Sequence, residues 1–170
     1  MVRIILFRHA KAAEAEPGQA DLARPLTGEG LRDALATGDA LAAAGYFPDV
    51  ILCSPARRTR QTLVAALPRL IEGMAEDAAT RLVPRLYGGG DYAAIAREEG
   101  EDAESLMLIG HNPSIHQTAR ALAGDGDSRR LAEIAAKFPT SAAAVIEFEG
   151  GNWRGARAGG GKLIDFIVPK

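Results

Sequence analysis

The sequence contains a single cysteine and lacks both a long hydrophobic run and an excess of basic residues. With Cys53 alone, the chain can form neither an intrachain disulfide nor a zinc site built on several cysteines. No apolar stretch approaches the length of a membrane span. The apolar run before Arg8 covers only four residues, which is too short for a signal peptide. We therefore expect a cytoplasmic protein that has no membrane partner.

The charge balance argues against a nucleic-acid partner. The chain has 20 Lys and Arg residues against 22 Asp and Glu residues, and its formal net charge is -2. Nucleic-acid-binding domains are usually strongly basic, so a binding site for an anion must here be a local cluster of positive charge. The 170 residues are 47% hydrophobic, which is enough for one buried core. We therefore expect a single domain that spans residues 1–170.

Short apolar runs alternate with helical patterns along the chain. The apolar runs predict strands at 2–7, 49–53, 105–110, 142–149 and 162–168, with a weaker strand at 81–83. Helices are expected after the N-cap signals Thr27, Ser54-Pro55 and Asn112-Pro113, ending near Gly45, Leu70 and Leu122, and also over 91–100 and 128–137. This alternation predicts a three-layer α/β fold with a mostly parallel central sheet and an antiparallel edge, where the last two strands form a hairpin.

Three of the predicted strands end in residues that could bind an anion. Arg8 and His9 follow the first strand, the segment "CSPARRTRQT" follows the second, and His111 follows the third of the clear strands. Ligands of open α/β sheets bind beyond the carboxyl ends of the strands. If these strands are parallel neighbours, their terminal side chains should meet at one edge of the sheet.

The second of these strand ends places three arginines in the first turns of a helix, at 57, 58 and 60. Cations at a helix N-terminus are unfavourable by about 0.3–1 kcal/mol each, because they face the positive end of the helix dipole. Such arginines are either solvated or held by a bound anion, which the helix amides would also favour. For Arg57 and Arg60 we favour the solvated surface, and for Arg58 the anion.

The same segments resemble the motifs of the histidine phosphatase superfamily, which has the phosphoglycerate-mutase-like fold. "FRHAKA" is similar to its Arg-His-Gly signature, "CSPARRTRQT" to its Ser-Pro-x-x-Arg-x-x-x-Thr segment, and "IGHNPS" to the segment that holds its second histidine. "ARPLTGEG" resembles the Arg-Pro-Leu-Thr stretch of the small SixA-like phosphohistidine phosphatases. The four motifs occur in the expected order between residue 4 and about residue 116.

The resemblance implies a reaction that needs neither a metal nor another cofactor. His9 would be the nucleophile, taking the phosphoryl group as a phosphohistidine that water then hydrolyses. Imidazole suits this role because its unperturbed pKa is about 6.5, so a neutral nitrogen is available near neutral pH. Arg8, Arg58 and His111 would surround the phosphoryl oxygens and stabilise their charge.

Two positions depart from the family pattern. Ala10 stands where the family usually has glycine, so the turn after His9 should avoid positive φ. The segment "PRLYG" places Pro84 where the larger enzymes carry a glutamate that protonates the leaving oxygen. Because imidazole leaves more easily than an alkoxide, the missing acid favours phosphohistidine as the substrate. Asp91, after the "YGGG" loop, is either a helix N-cap or a substitute acid that contacts the substrate.

The sequence therefore predicts a metal-independent phosphatase whose partner is a phosphorylated protein of the histidine-phosphotransfer type. A phosphatase for small phosphomonoesters and a phosphate-binding module without turnover are the alternatives. Arg24 and Thr27 are candidate substrate contacts. A surface arginine would explain Arg24 equally well, whereas for Thr27 we favour a helix cap whose backbone could also line the pocket. His116 is interpreted as structural, and Ser54 as a cap rather than a nucleophile.

Overall fold

The computed structural model describes residues 1–170 and places one seven-stranded sheet between two layers of helices. In chain order the elements are β1 (Val2–Arg8), α1 (Gly28–Ala43), β2 (Val50–Cys53), α2 (Arg57–Leu70), β3 (Ala79–Leu82), α3 (Tyr92–Glu99), β4 (Ser105–Gly110), α4 (Ser114–Leu122), β5 (Ala123–Gly126), α5 (Ser128–Ala136), β6 (Ala143–Phe148) and β7 (Gly161–Ile167). Short 3-10 helices occur at Asp21–Ala23, Pro84–Leu86 and Trp153–Gly155.

The sheet is mostly parallel, as the sequence predicts. Its strand order is β3-β2-β4-β1-β6-β7-β5. Only β6 runs against the other strands, because it pairs antiparallel with both β1 and β7 while every other pairing is parallel. The predicted β6–β7 hairpin is confirmed. The antiparallel strand nevertheless lies inside the sheet, and the added edge strand β5 was not expected from the sequence.

Both faces of the central strands are covered by helices. In β1, Ile4 and Leu6 belong to the hydrophobic cluster that also contains residues of α3, α4 and α5, whereas Ile5 and Phe7 pack with residues of α1 and α2. All four side chains are fully buried. A strand buried on both faces needs no polar alternation, which explains why it reads as a continuous apolar run. No helix is both long enough and apolar enough to span a bilayer.

Two helix starts match the local signals in the sequence. Thr27 caps α1, since its Oγ1 accepts a hydrogen bond from the amide of Gly30 at 3.0 Å. Asp91 caps α3 in the same way, accepting from the amides of Ala93 and Ala94. Each cap satisfies amides of the first helical turn that have no partner within the helix.

Two other predicted N-caps are wrong. The cap of α2 is Ala56 rather than Ser54, whose hydroxyl is instead engaged by His111. The cap of α4 is Pro113, and the preceding asparagine, Asn112, uses its side-chain amide to donate to the carbonyl of Phe138 at 3.1 Å. In both cases a polar side chain that could cap its own helix makes a long-range hydrogen bond.

Gly38 allows α1 and α2 to pack closely, and its substitution should destabilise the fold. A Cβ at this position would lie 2.7 Å from the Cα of Ala66, so the two helices would have to separate. We expect Gly38→Ala to lower the free energy of unfolding by about 1–3 kcal/mol, even though alanine gains about 1 kcal/mol in helix propensity. Urea denaturation measures the change.

Gly28→Ala is the matched control, because the nearest atom to a Cβ there is the flexible end of Arg32 at 3.6 Å. This variant should be at least as stable as the wild type. Equal stabilities of the two variants would contradict the close-packing argument.

Candidate active site

The parallel register of β1 and β4 brings two histidines together. Arg8 pairs with Gly110, and the amide of His9 donates to the carbonyl of Gly110 at 3.0 Å. His9 and His111 therefore leave their strands at the same level of the sheet. Their ring centroids lie 5.2 Å apart, with the ring planes tilted by 55°.

Tyr92 fixes the backbone at the second histidine. Its buried hydroxyl accepts a hydrogen bond from the amide of His111 at 3.0 Å and donates to the carbonyl of Leu86 at 2.6 Å. A Cβ at Gly110 would lie 2.6 Å from a ring carbon of Tyr92, so only glycine leaves room for the ring. No motif in the sequence indicates a role for Tyr92, because a tyrosine in a helical pattern is usually a core residue.

His9 is held as a neutral imidazole with one nitrogen free. Its Nδ1 lies 2.7 Å from the carbonyl oxygen of Ala10, which can only accept, so Nδ1 carries the proton and Nε2 keeps a lone pair. Burial lowers the pKa of His9 to about 4, opposed by the hydrogen bond to Ala10 and assisted by the charges of Arg58 and Arg8. Ala10 does not adopt positive φ, which confirms the expectation for this turn.

His111 presents an N–H group that has no acceptor in the protein. Its Nε2 lies 2.7 Å from Oγ of the fully buried Ser54, whose Oγ also accepts from the amide of Ala56 at 3.3 Å. We assign the Ser54 hydroxyl as the donor in this contact, because it has no other acceptor, and this assignment places the ring proton of His111 on Nδ1. Nδ1 is buried and has no partner. Burial, followed by the charges of His9 and Arg58, lowers the pKa of His111 to about 3.

Two arginines converge on the same place. Arg8 donates from Nη1 to the carbonyl of Phe138 at 2.8 Å, while its buried Nε has no partner. Arg58, in the first turn of α2, is only 7% exposed. It is therefore not a solvated surface arginine, which was the alternative to an anion-binding role. Its Nη1 donates to the carbonyl of Asp21 at 2.9 Å and its Nη2 to the carboxylate at 3.0 Å.

Asp21 belongs to the site, and the sequence analysis missed it. Its carboxylate accepts hydrogen bonds from Arg58, from Arg24 Nη1 at 3.1 Å and from the hydroxyl of Tyr87 at 2.6 Å. The Tyr87 ring stands edge-on to His111, with 5.5 Å between centroids. The hydrogen bond from Tyr87, and then that from Arg58, lower the pKa of Asp21. The only signal in the sequence was its position three residues before Arg24.

The remaining candidate contacts occupy different places. Arg24 reaches the rim of the site through Asp21, and its charge contributes to the low pKa of the nucleophile candidate. Thr27 caps its helix and donates to the carbonyl of Lys11 at 3.3 Å. Asp91 caps α3 and lies 3.8 Å from Arg97, within its own helix. The structure shows no hydrogen bond from Thr27 or Asp91 to the two histidines or to the arginines at 8 and 58.

Three other polar or aromatic residues are structural. His116 donates from Nε2 to the carbonyl of Ile134 at 2.6 Å, which confirms its predicted role. Cys53 is buried in β2, and burial raises the pKa of its thiol to about 12. Trp153 is buried in the core and donates to the carbonyl of Ala103, so it does not line the mouth of the site.

The two neutral histidines should make folding depend on pH. The pKa of each is lower in the folded state than its unfolded value of about 6.5, so the unfolded chain binds more protons between about pH 4 and 6.5. The free energy of unfolding should therefore be highest above pH 6.5 and fall as the pH drops toward 4. In the double variant His9→Gln/His111→Gln the free energy of unfolding should depend less steeply on pH. The decrease in slope should correspond to at most two fewer protons taken up on unfolding.

Urea denaturation of both proteins between pH 5 and 7.5 measures this difference, in a range where most carboxylates stay ionised. NMR of the histidine rings provides an independent readout, since both should remain neutral at pH 5.5. Identical slopes for the wild type and the double variant would rule out the assigned protonation states.

Comparison with known proteins identifies the family. Residues 4–86 match the model of the histidine phosphatase superfamily (branch 1). An uncharacterized protein of Mycobacterium tuberculosis is 37% identical over 168 residues, covering 96% of this chain and 100% of its own.

Two solved structures extend the match over the whole chain. A protein of Agrobacterium tumefaciens with the provisional name phosphohistidine phosphatase SixA is 33% identical, with a TM-score of 0.79 over 99% of this chain and 98% of its own. Another, provisionally named in the same way, from Nakamurella multipartitia, is 31% identical, with a TM-score of 0.81 over 99% and 96%. The chain thus belongs to the histidine phosphatase superfamily, within its SixA-like branch.

Proposed function

We propose that this phosphatase works through a phosphohistidine intermediate on His9 and dephosphorylates phosphohistidine in a cytoplasmic protein of the histidine-phosphotransfer type. The observation that carries the proposal is the position of a neutral imidazole with a free Nε2 beside donors that lack protein acceptors. These donors are Nε of Arg8 and Nδ1 of His111, and the guanidinium of Arg58 lies next to them. A phosphoryl group has three charged oxygens that such donors would bind.

The residues support a two-step transfer. In the first step Nε2 of His9 attacks phosphorus, and the electron pair of the broken P–N bond stays on the departing ring, which leaves as neutral imidazole because its other nitrogen carries a proton. The phosphorylated ring of His9 keeps its Nδ1 proton, held by the carbonyl of Ala10. In the second step water attacks phosphorus, the N–P electron pair returns to Nε2, and the product leaves as dihydrogen phosphate, which carries the oxygen and both protons of the water. Arg8, Arg58 and His111 stabilise the charge on the phosphoryl oxygens in both steps. No metal ion takes part.

The preference for phosphohistidine rests on the acid–base groups near the site. Pro84, at the position of the family's glutamate, begins a 3-10 helix and cannot donate a proton. Asp21, whose carboxylate binds Arg58, has a lowered pKa and is therefore ionised at neutral pH. The hydrogen bond to Asp21 raises the pKa of Tyr87, which makes its hydroxyl a weaker acid than usual. An imidazole leaving group depends least on such an acid. The names of the two solved relatives support the same substrate.

The proposal is tested by trapping the intermediate and comparing substrates. With a 32P-labelled phosphohistidine peptide and rapid quenching in alkali, we expect acid-labile label on the enzyme, mapped to His9 and absent from His9→Ala. The value of kcat/KM for phosphohistidine should exceed that for phosphoserine by about 100-fold or more, with or without a metal chelator. A preference for phosphoserine would identify a phosphomonoesterase instead. Tight phosphate binding without any phosphoenzyme would identify a binding module.

Ser54 should act as a positioning residue through the tautomer of His111. In Ser54→Ala the hydroxyl that donates to Nε2 is lost, so Nδ1 no longer carries the proton in every molecule. We expect kcat to fall by about 10- to 100-fold, because removing one oriented donor to a developing oxyanion typically costs that much or more. The 15N shifts of His111 should show a change of tautomer, while those of His9 stay unchanged as an internal control. A normal tautomer together with a low kcat would contradict this role.

A further inference from the structure

The structure assigns a docking surface beside the active site. We propose that a groove between α1 and α2 binds an acidic amphipathic helix of the phosphorylated protein, an inference that rests on the proposed function. This α1–α2 groove has a volume of about 410 Å³. It is lined by Leu31, Arg57, Arg60, Gln61, Val64 and Ala65.

The groove and the active site share the first turns of α2. Arg57 directly precedes Arg58, the guanidinium that borders the site. Gln61 joins the groove to the segment before α1, since its Oε1 accepts a hydrogen bond from the amide of Leu26 at 2.7 Å. The hydroxyl of the next residue, Thr62, accepts a hydrogen bond from the amide of Ala10, which directly follows His9. The groove therefore begins within one turn of α2 from Arg58.

The floor of the groove is apolar and solvent-exposed. Leu31 is 43% exposed and Val64 is 68% exposed, and Leu35, one turn along α1, is 42% exposed. Leu31 and Leu35 repeat at helical spacing as core residues do, yet neither of them is buried. Single exposed leucines are common, but neighbouring apolar side chains that line a concave surface are typical of a binding site.

The rim of the groove carries positive charge without partners. Neither Arg57 nor Arg60 forms an ion pair, although Arg60 donates from Nε to the carbonyl of Pro55 at 3.1 Å. Both lie at the end of α2 where the helix dipole disfavours cations. By contrast Arg69, near the other end of this helix, lies 3.9 Å from Asp39. A ligand with carboxylates would offset the repulsion at the rim.

A helix combines the features that the groove requires. Side chains of a third helix can fill the groove between two packed helices, with apolar anchors three and four residues apart. Glu or Asp residues flanking those anchors would face Arg57 and Arg60. An anionic bilayer offers the same chemistry, but a groove between two helices fits the ridge of one further helix better than the broad surface of a bilayer. The observations therefore favour a protein.

The test compares two helical phosphohistidine peptides with free phosphohistidine. One peptide carries leucines and glutamates on the face next to the phosphohistidine, and its twin has lysine in place of each glutamate. The wild type should hydrolyse the acidic peptide with a kcat/KM about tenfold higher, mainly through KM. Arg57→Gln/Arg60→Gln should remove this preference, and Val64→Glu should raise the KM for the acidic peptide by about tenfold. Both variants should hydrolyse free phosphohistidine within about twofold of the wild-type rate.

Two substitutions at the far end of α2 serve as controls. Arg69→Gln removes a charge, and Ile71→Glu places a charge at an apolar residue that is 61% exposed. Both should keep the wild-type preference for the acidic peptide. If the wild type hydrolyses free phosphohistidine but treats the two peptides alike, the docking surface is refuted and the proposed function stands. If it hydrolyses neither, both proposals fail.

A vesicle experiment separates the protein partner from a membrane. The wild type and Val64→Glu are sedimented with vesicles of phosphatidylcholine and phosphatidylglycerol. Absence of sedimentation is the expected result and agrees with a protein partner. Sedimentation that depends on Val64, Arg57 and Arg60 would overturn the proposal and identify a membrane-binding surface instead.

Discussion

The register between β1 and β4 is the constraint on which the site depends. It places Arg8 opposite Gly110, so that His9 and His111 follow at the same level on neighbouring strands. A slip of one residue would reverse the facing of every side chain on one strand and separate the rings. Because both faces of β1 are buried and apolar, the register is fixed by the sizes and shapes of its side chains, which must pack against helices on each face. The chemistry at the edge of the sheet is thus set by packing in its centre.

The electrostatics of the site follow from how its cations are held. Arg8 is bound by the carbonyl of Phe138, and His9 by that of Ala10, so neither is neutralised by a carboxylate. Burial lowers the pKa of His9 and of His111 and keeps both rings neutral, so the positive charge of the site is that of its guanidiniums. Of Arg8 and Arg58, only Arg58 has an acidic partner, Asp21. In a chain with a net charge of -2, this arrangement produces the local positive potential that a phosphoryl group requires.

Features that depend on local sequence could be predicted, and those that depend on distant contacts could not. Strands buried on both faces stand out as apolar runs, and Thr27 caps the helix that it directly precedes. Ser54 and Asn112 show the same local signal, but each finds a partner elsewhere in the fold. Strand β5, with the sequence "AGDG", has no apolar character and forms only because β7 offers it a free edge. A sequence pattern over a few residues cannot predict these long-range hydrogen bonds and strand pairings.

The same limit explains why the motifs revealed the histidines and arginines but not the residue that orients one of them. Asp21 lies 37 residues from Arg58 and 66 from Tyr87, on a short 3-10 helix with no periodic pattern. Its carbonyl and carboxylate together bind two nitrogens of Arg58, so that side chain is ordered before a substrate arrives. Ordering a free arginine side chain would cost about 1.5–2 kcal/mol of conformational entropy. Because folding has already met that cost, more of the interaction with the phosphoryl oxygens remains available for binding and transfer.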